Sequence, residues 1–317
     1  MLALVFNEDV RLRTDYPEPR PSRSEALVAV RLAGVCSTDL EVTRGYMGFS
    51  GVMGHEFVGA VVAGPKKWQN QRVVAEINCV CGECDMCKAG LSNHCRDRTV
   101  LGIDGRDGVF AEYVTVPVRN LHAVPDSVGD EQAVFVEPLA AGFQIVRQLD
   151  FGRSDRVVVL GDGRLGQLVA RALKTVVNRP LLIGRHEKKL EAAEKVGIQT
   201  ELAEEFTPRA DADVVVDATG SPEGLQTAMR AVRPRGVIVL KSTHAAGGEL
   251  NLAPLVINEV TVIGSRCGPF PDAIAALRDG TVDVSALVTG RFPLREAPDA
   301  LEAAASGEHI KVLIDVA

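Results

Sequence analysis

The sequence predicts an α/β protein with two domains, one made of short strands and one a doubly wound parallel sheet. Three observations carry this. Up to about residue 138 the apolar runs are short and broken by Gly and Pro, as in "EALVAVRLAGV", "EFVGAVVAG", "QRVVAEI" and "FAEYVTVP", a pattern of strands and turns. Beyond Pro138, apolar runs alternate with helical patterns in "DRVVVLGDGRLGQLVARALKTV", "RPLLIGRHEKKLEAAEKVG" and "ADVVVDATGSPEGLQTAMRAV". Strands alternating with helices form a parallel sheet covered on both faces. Between the first of these strands and its helix stands G-x-G-x-x-G, at Gly161, Gly163 and Gly166.

Taken in order, the opening "MLALVFNEDVRLRTDYPEPR" is a first strand followed by charges and prolines, not a leader peptide. The strand-rich region follows, then three strand–helix units and two further apolar strands, "RGVIVLKST" and "EVTVIGSR". From about 267 the pattern is helix, strand, helix and a last strand. A chain of 317 residues, 46% hydrophobic and 24% charged, suffices for two cores of a soluble protein. A net charge of −7 argues against a nucleic acid or an anionic membrane surface as partner. No apolar stretch approaches a membrane span, so a cytoplasmic location is expected.

In such a reducing compartment, clustered cysteines bind metal more often than they form disulfides. Cys81, Cys84, Cys87 and Cys95 follow C-x2-C-x2-C-x7-C. Thiolates two residues apart on a tight turn grip one ion and a fourth closes a tetrahedron. Gly82 and Gly90 allow the turning. An iron–sulfur cluster also uses C-x2-C-x2-C, but its usual Cys-Pro three residues later is missing. Four thiolates leave no open position, so this reads as a structural zinc lobe over residues 79–95, with Cys79 as a buried strand residue outside the ligand set.

The glycine stretch has the chemistry of a dinucleotide turn. The first glycine turns the chain, the second admits a pyrophosphate, and the third packs helix on strand. Arg164 and Leu165 lie within it. An NAD site carries an acid about 20 residues further on. Here the second strand ends "LLIGRHEKK", with Gly184 in the acid's place, followed by Arg185 and His186. Arg185 offers a planar cationic fork to a 2′-phosphate, with His186, Lys188 and Lys189 nearby. NADP is therefore expected over NAD.

A second metal set is scattered. "GVCSTDL" supplies Cys36, Thr38 and Asp39, "GHEFVG" supplies His55 and Glu56, and "VEPLAAG" supplies Glu137. A thiolate, an imidazole and carboxylates suit catalytic zinc with an open position, which lowers the pKa of an alcohol. Thr38 is placed to pass the alcohol proton onward, and Asp39 to accept from the His55 ring and fix its tautomer.

These motifs, with "GVFAEYVTVP", "VVDATGS" and "HIKVLIDV", occur in the order found in medium-chain zinc-dependent dehydrogenases, and over essentially its whole length the chain resembles that family's alcohol, sorbitol and threonine dehydrogenase group. The resemblance implies a GroES-like, partly open β-barrel catalytic domain at 1–139 and 267–317. It implies a Rossmann domain at 140–266 and an active site in the cleft between them. It implies catalytic zinc on Cys36, His55 and Glu137, with Glu56 a ligand or exchangeable neighbour, and cofactor contacts from Thr219 and Lys311 besides the glycine turn. Where relatives often carry a relay histidine this chain has Glu41, so proton release through Glu41 or water is expected. Glu137 in place of a cysteine resembles the polyol and sugar dehydrogenase branch. The expected protein is a zinc- and NADP(NAD)-linked alcohol or polyol oxidoreductase, assembled as a homodimer or homotetramer. A biosynthetic dehydrogenase of a larger secondary alcohol is the nearest alternative. A dinucleotide sensor on this fold predicts eroded ligands, and a zinc-free enoyl or quinone reductase typically lacks both cysteine sets. Tyr46, Met47, Phe49 and Phe110 are candidates for the pocket wall or for the core. Arg266 is a candidate for the cleft.

Overall fold

The computed structural model describes residues 1–242 and 250–317. They form two compact units, Met1–Glu137 with Val284–Ala317, and Pro138–Asp283. The first opens with the hairpin β1 (Ala3–Asn7) and β2 (Asp9–Arg13), followed by the ten-residue β3 (Glu25–Gly34). A short helix α1 (Ser37–Val42) precedes β4 (Gly51–Val52), β5 (Glu56–Ala63) and β6 (Arg72–Ala75). A small lobe follows, with β7 (Asn78–Cys79), α2 (Asp85–Lys88), β8 (Thr99–Leu101) and β9 (Gly105–Arg106). Next come β10 (Tyr113–Pro117), β11 (Leu121–Ala123) and α3 (Asp130–Ala133), and α4 (Val136–Gln148) leads into the second unit.

The second unit alternates β12 (Val157–Leu160), α5 (Arg164–Lys174), β13 (Leu181–Gly184) and α6 (Glu187–Glu194). It continues through β14 (Gln199–Leu202), β15 (Ala212–Asp217), α7 (Pro222–Ala231) and β16 (Val232–Leu240). It ends with α8 (Ala253–Ile257), β17 (Thr261–Gly264) and α9 (Phe270–Arg278). The chain then returns to the first unit as β18 (Val288–Pro293), α10 (Ala297–Ala305) and β19 (Lys311–Asp315).

In the first unit the main sheet runs β11-β6-β5-β3-β19-β18, with β10 also paired to β3. β3 is its hub, because its inward positions are continuously apolar and let it hold β5, β10 and β19 antiparallel. In the second unit the order β14-β13-β12-β15-β16-β17 is parallel throughout, the doubly wound arrangement with its switch point beside the first strand. Val157–Leu160 is wholly buried, as a strand covered on both faces must be. One core layer packs α5 and α6 residues such as Val169, Leu173 and Leu190 on the sheet, and the other packs α7 residues Ala228 and Ala231.

The contacts divide the chain later than the sequence texture does, after Asp283 instead of after 266. Residues 267–283 side with the second unit for local reasons. A Cβ on Gly268 would lie 1.9 Å from the Ala140 carbonyl oxygen, Arg147 makes a paired contact with Asp272, and the Arg171 guanidinium donates to the Asp283 carbonyl.

Candidate functional site

The metal set of the first unit is built by three neighbouring strands. At the end of β3, Gly34 pairs with Glu56 of β5 on one side and Leu313 of β19 on the other. A side chain at Gly34 would collide with the Lys311 amine and Val134, so the glycine makes room for Lys311. Two residues later Cys36 occupies the N-cap position of α1. His55 enters from the other direction. The turn before it holds Gly54 at φ +91, with the Phe110 ring packed where a Cβ would be.

One carboxylate serves both ligand residues. Asp39, fully buried, accepts the Cys36 backbone N–H at 2.7 Å with Oδ2, and its Oδ1 lies 3.1 Å from His55 Nδ1. The ligand atoms of Cys36, His55 and Glu56 all fall within 4.8 Å of one another. In the metal-free chain, burial works against a charge on His55, yet Asp39 and Cys36 outweigh it and hold the ring well above the ordinary histidine range. Glu56 Oε1 is buried with no hydrogen-bond partner, and the sulfur, nitrogen and oxygen donors make a set suited to zinc with a position left open. Thr38 Oγ1 lies 3.7 Å from Cys36 Sγ.

Three expected residues stand elsewhere. Glu137 is not in the clustered set. It is half-buried in the first turn of α4, while Glu56, placed by the β3–β5 register, brings a carboxylate beside the Cys36 and His55 donors. Glu41 pairs with Arg44 at 2.7 Å on the surface. Lys311 is fully buried in the first unit and pairs with Glu56. Its amine also approaches the Val35 carbonyl and the Phe135 ring. Burial pushes its pKa down to about 8, against the pull of Cys36 and Asp39. Phe49 and Phe110 are core residues, whereas Tyr46 and Met47 are exposed. Arg266 is exposed, and its carbonyl accepts from Lys241.

The cysteine lobe forms as its spacing predicts. Cys81, Cys84, Cys87 and Cys95 carry free thiols whose sulfurs cluster within 4.8 Å. The Cys95–Cys81, Cys84–Cys95 and Cys81–Cys87 sulfur distances are 3.5, 3.8 and 4.0 Å. A zinc–sulfur tetrahedron with bonds of ~2.3 Å has edges of about 3.8 Å, so the cage fits zinc. Backbone N–H groups of Glu83 and Cys84 point at Cys81 Sγ. Gly82 and Gly90 take the positive φ values, +86 and +76, that the turns require. Cys79 is buried outside the cage, its thiol pushed up to about 11 by burial.

In the second unit, Gly161 at φ +107 turns the chain out of β12. Gly163 precedes α5, which begins with Arg164 and Leu165, and a Cβ on Gly166 would lie 1.8 Å from the Gly161 carbonyl oxygen. Thr219, after β15, donates its hydroxyl to Asp217 at 2.7 Å. Arg185 is exposed just past β13. The space that a side chain at Gly184 would take is filled by Asp162 of the glycine turn. Asp162 was legible only as an acid between two glycines ahead of a strand that lacks one.

Residues 22–126 match the alcohol dehydrogenase GroES-like domain, and residues 165–279 match the zinc-binding dehydrogenase domain. The chain is 30% identical to a sorbitol dehydrogenase of Halalkalibacterium halodurans, covering 95% of this chain and 94% of that one. It is equally similar, at 30% with the same coverage, to an L-threonine 3-dehydrogenase of Streptomyces avermitilis. Its structure superposes at a TM-score of 0.91 and 27% identity on an alcohol dehydrogenase of Escherichia coli CFT073, described as short chain, complexed with NADH, covering 100% and 99% of the two chains. A protein of Sinorhizobium meliloti 1021 described as a zinc-binding dehydrogenase, bound to NADP, superposes at 0.90 and 27%, covering 99% of each.

Proposed function

Because the chain belongs to the medium-chain zinc-dependent dehydrogenase family, we propose that it interconverts a small polar alcohol and its carbonyl, using zinc and a nicotinamide dinucleotide. The observation that carries this reading is the Cys36–His55–Glu56 set, with His55 and Glu56 buried, Cys36 half-buried and its donor atoms within 4.8 Å. The equal likeness to relatives named for sorbitol and for L-threonine supports a polyhydroxylated or otherwise polar substrate.

A zinc ion held by Cys36, His55 and Glu56 supplies Lewis acidity toward an oxygen ligand. The remaining work falls to the chain. Asp39 orients both Cys36 and His55, as a partner behind a ligating imidazole does. Lys311 neutralises the buried Glu56 carboxylate. The Thr38 hydroxyl holds the alcohol proton and hands it to water, now that Glu41 is committed to Arg44. The lobe of Cys81, Cys84, Cys87 and Cys95 holds a second zinc as a brace. Gly161, Gly163 and Gly166 cradle the dinucleotide, and Arg185 offers its charge to a 2′-phosphate, which makes NADP the favoured cofactor.

A homodimer or homotetramer is the proposed assembly. Val256 and Ile257, each 77% exposed beside the edge strand β17, support it. No helix among the described residues is long and apolar enough to cross a membrane, and all seven cysteines are free, which supports a cytoplasmic location. The deciding experiment is His55→Ala, assayed over a panel of polyols, amino alcohols and secondary alcohols. The variant should fold, bind NADPH as the parent does, and turn over no substrate. A variant that keeps most of its turnover refutes the assignment.

A further inference from the structure

The end of β13 is where a dinucleotide fold of this kind places the acid that accepts from the adenosine ribose, and here that position is Gly184. The glycine is enforced. A Cβ on Gly184 would lie 2.4 Å from the Asp162 Cβ and 2.5 Å from its Oδ2. The side-chain volume of the strand-end residue is thus occupied by a side chain from the glycine turn, 22 positions earlier in sequence. Asp162 is only 6% exposed. Its Oδ2 accepts the His186 backbone N–H at 2.7 Å, and His186 Nδ1 lies 3.0 and 3.1 Å from Oδ2 and Oδ1. A carboxylate offers about four lone-pair directions. Two donors leave acceptor capacity for a ligand hydroxyl.

We infer that Asp162 takes over the role of the missing strand-end acid and is the residue that admits NAD to a site whose Arg185 favours NADP. This rests on the nicotinamide-linked reading above. The carboxylate and the guanidinium act in opposite senses. Asp162 offers an acceptor to a free 2′-hydroxyl and repels a 2′-phosphate. Arg185, one residue past the strand end and exposed, attracts the phosphate. A chain holding both binds both cofactors, and the balance between them turns on residue 162 as much as on residue 185. Asp162 also braces His186, so a purely structural role predicts something different: its loss should weaken NADH and NADPH equally.

The test is calorimetric titration of the full-length protein with NADH and with NADPH, for wild type and for Asp162→Asn. Asparagine keeps the shape and an oxygen for the His186 N–H while removing the charge. The variant should weaken NADH binding, tighten NADPH binding and shift the ratio of the two dissociation constants toward NADPH by on the order of tenfold or more. A ratio within twofold of wild type, or equal weakening of both, overturns the inference and leaves the function standing. Wild type alone also tests it should the variant not fold: the two dissociation constants should lie within about tenfold. A hundredfold preference for NADPH overturns it. If wild type binds neither nucleotide, the functional reading itself fails and this inference with it.

Discussion

Asp39 shows how few side chains the metal set needs to stay in order. One buried carboxylate holds the Cys36 backbone with one oxygen and lies 3.1 Å from the His55 ring with the other. Beside them, Thr38 Oγ1 lies 3.7 Å from Cys36 Sγ, the hydroxyl we propose moves the substrate proton. Thr38→Ala should therefore lower kcat by roughly 10² in steady-state assays while leaving thermal stability unchanged, and Thr38→Ser should be mild. Cys36 and His55 were legible as candidates in the sequence because each lies in a short, distinctive motif. Which glutamate joins them was not. Which carboxylate reaches the set depends on the β3–β5 register, and Glu137 and Glu56 look alike until that register is known. The Lys311 pairing was hidden for the same reason: a lysine in an apolar strand gives no sign that a buried glutamate lies beside it.

At the scale of elements, the turn from β12 into α5 is the most constrained piece of backbone. A Cβ at residue 166 would meet the carbonyl atoms of Gly161 at distances no side chain tolerates, and backbone cannot swing aside as a flexible side chain does. Gly166→Ala should cost roughly 1–3 kcal/mol as an overpacked site, read by thermal unfolding, and should weaken NADPH binding by displacing the turn. The parallel sheet and its helices were readable because alternation of apolar runs and helical patterns over five strands leaves little choice of topology, whereas the sixth, the polar edge strand β14, gave no apolar run. The strands of the cysteine lobe were not. β7 and β9 are two residues long, and two residues have no period to detect. The Asp162–Gly184 exchange was hidden because it joins two segments that are each unremarkable alone.

On the scale of the whole molecule, two metal sets with different donors predict two zinc ions per chain by elemental analysis. Stripping both with a chelator should expose Cys84, whose thiol is held down to about 6 by the Arg96 and Cys87 backbone N–H groups. It should alkylate rapidly at neutral pH in peptide mapping, whereas Cys79, pushed up to about 11 by burial, should stay unmodified. The chain path has a consequence for synthesis. The amine of Lys311 approaches a carbonyl, that of Val35, 276 residues earlier. At ~5–20 residues per second of translation, the earlier strand waits roughly ten seconds to a minute for its neighbour. In that interval one edge of β3 at Leu32–Gly34 stands open, and Glu56 lacks its counter-charge. The nucleotide-binding unit, contiguous in sequence, is free to close first. The half made earliest is therefore finished last, and its zinc pocket matures only when a lysine from the far side of the gene product arrives, so a nascent chain carries an exposed strand edge of the kind chaperones shield.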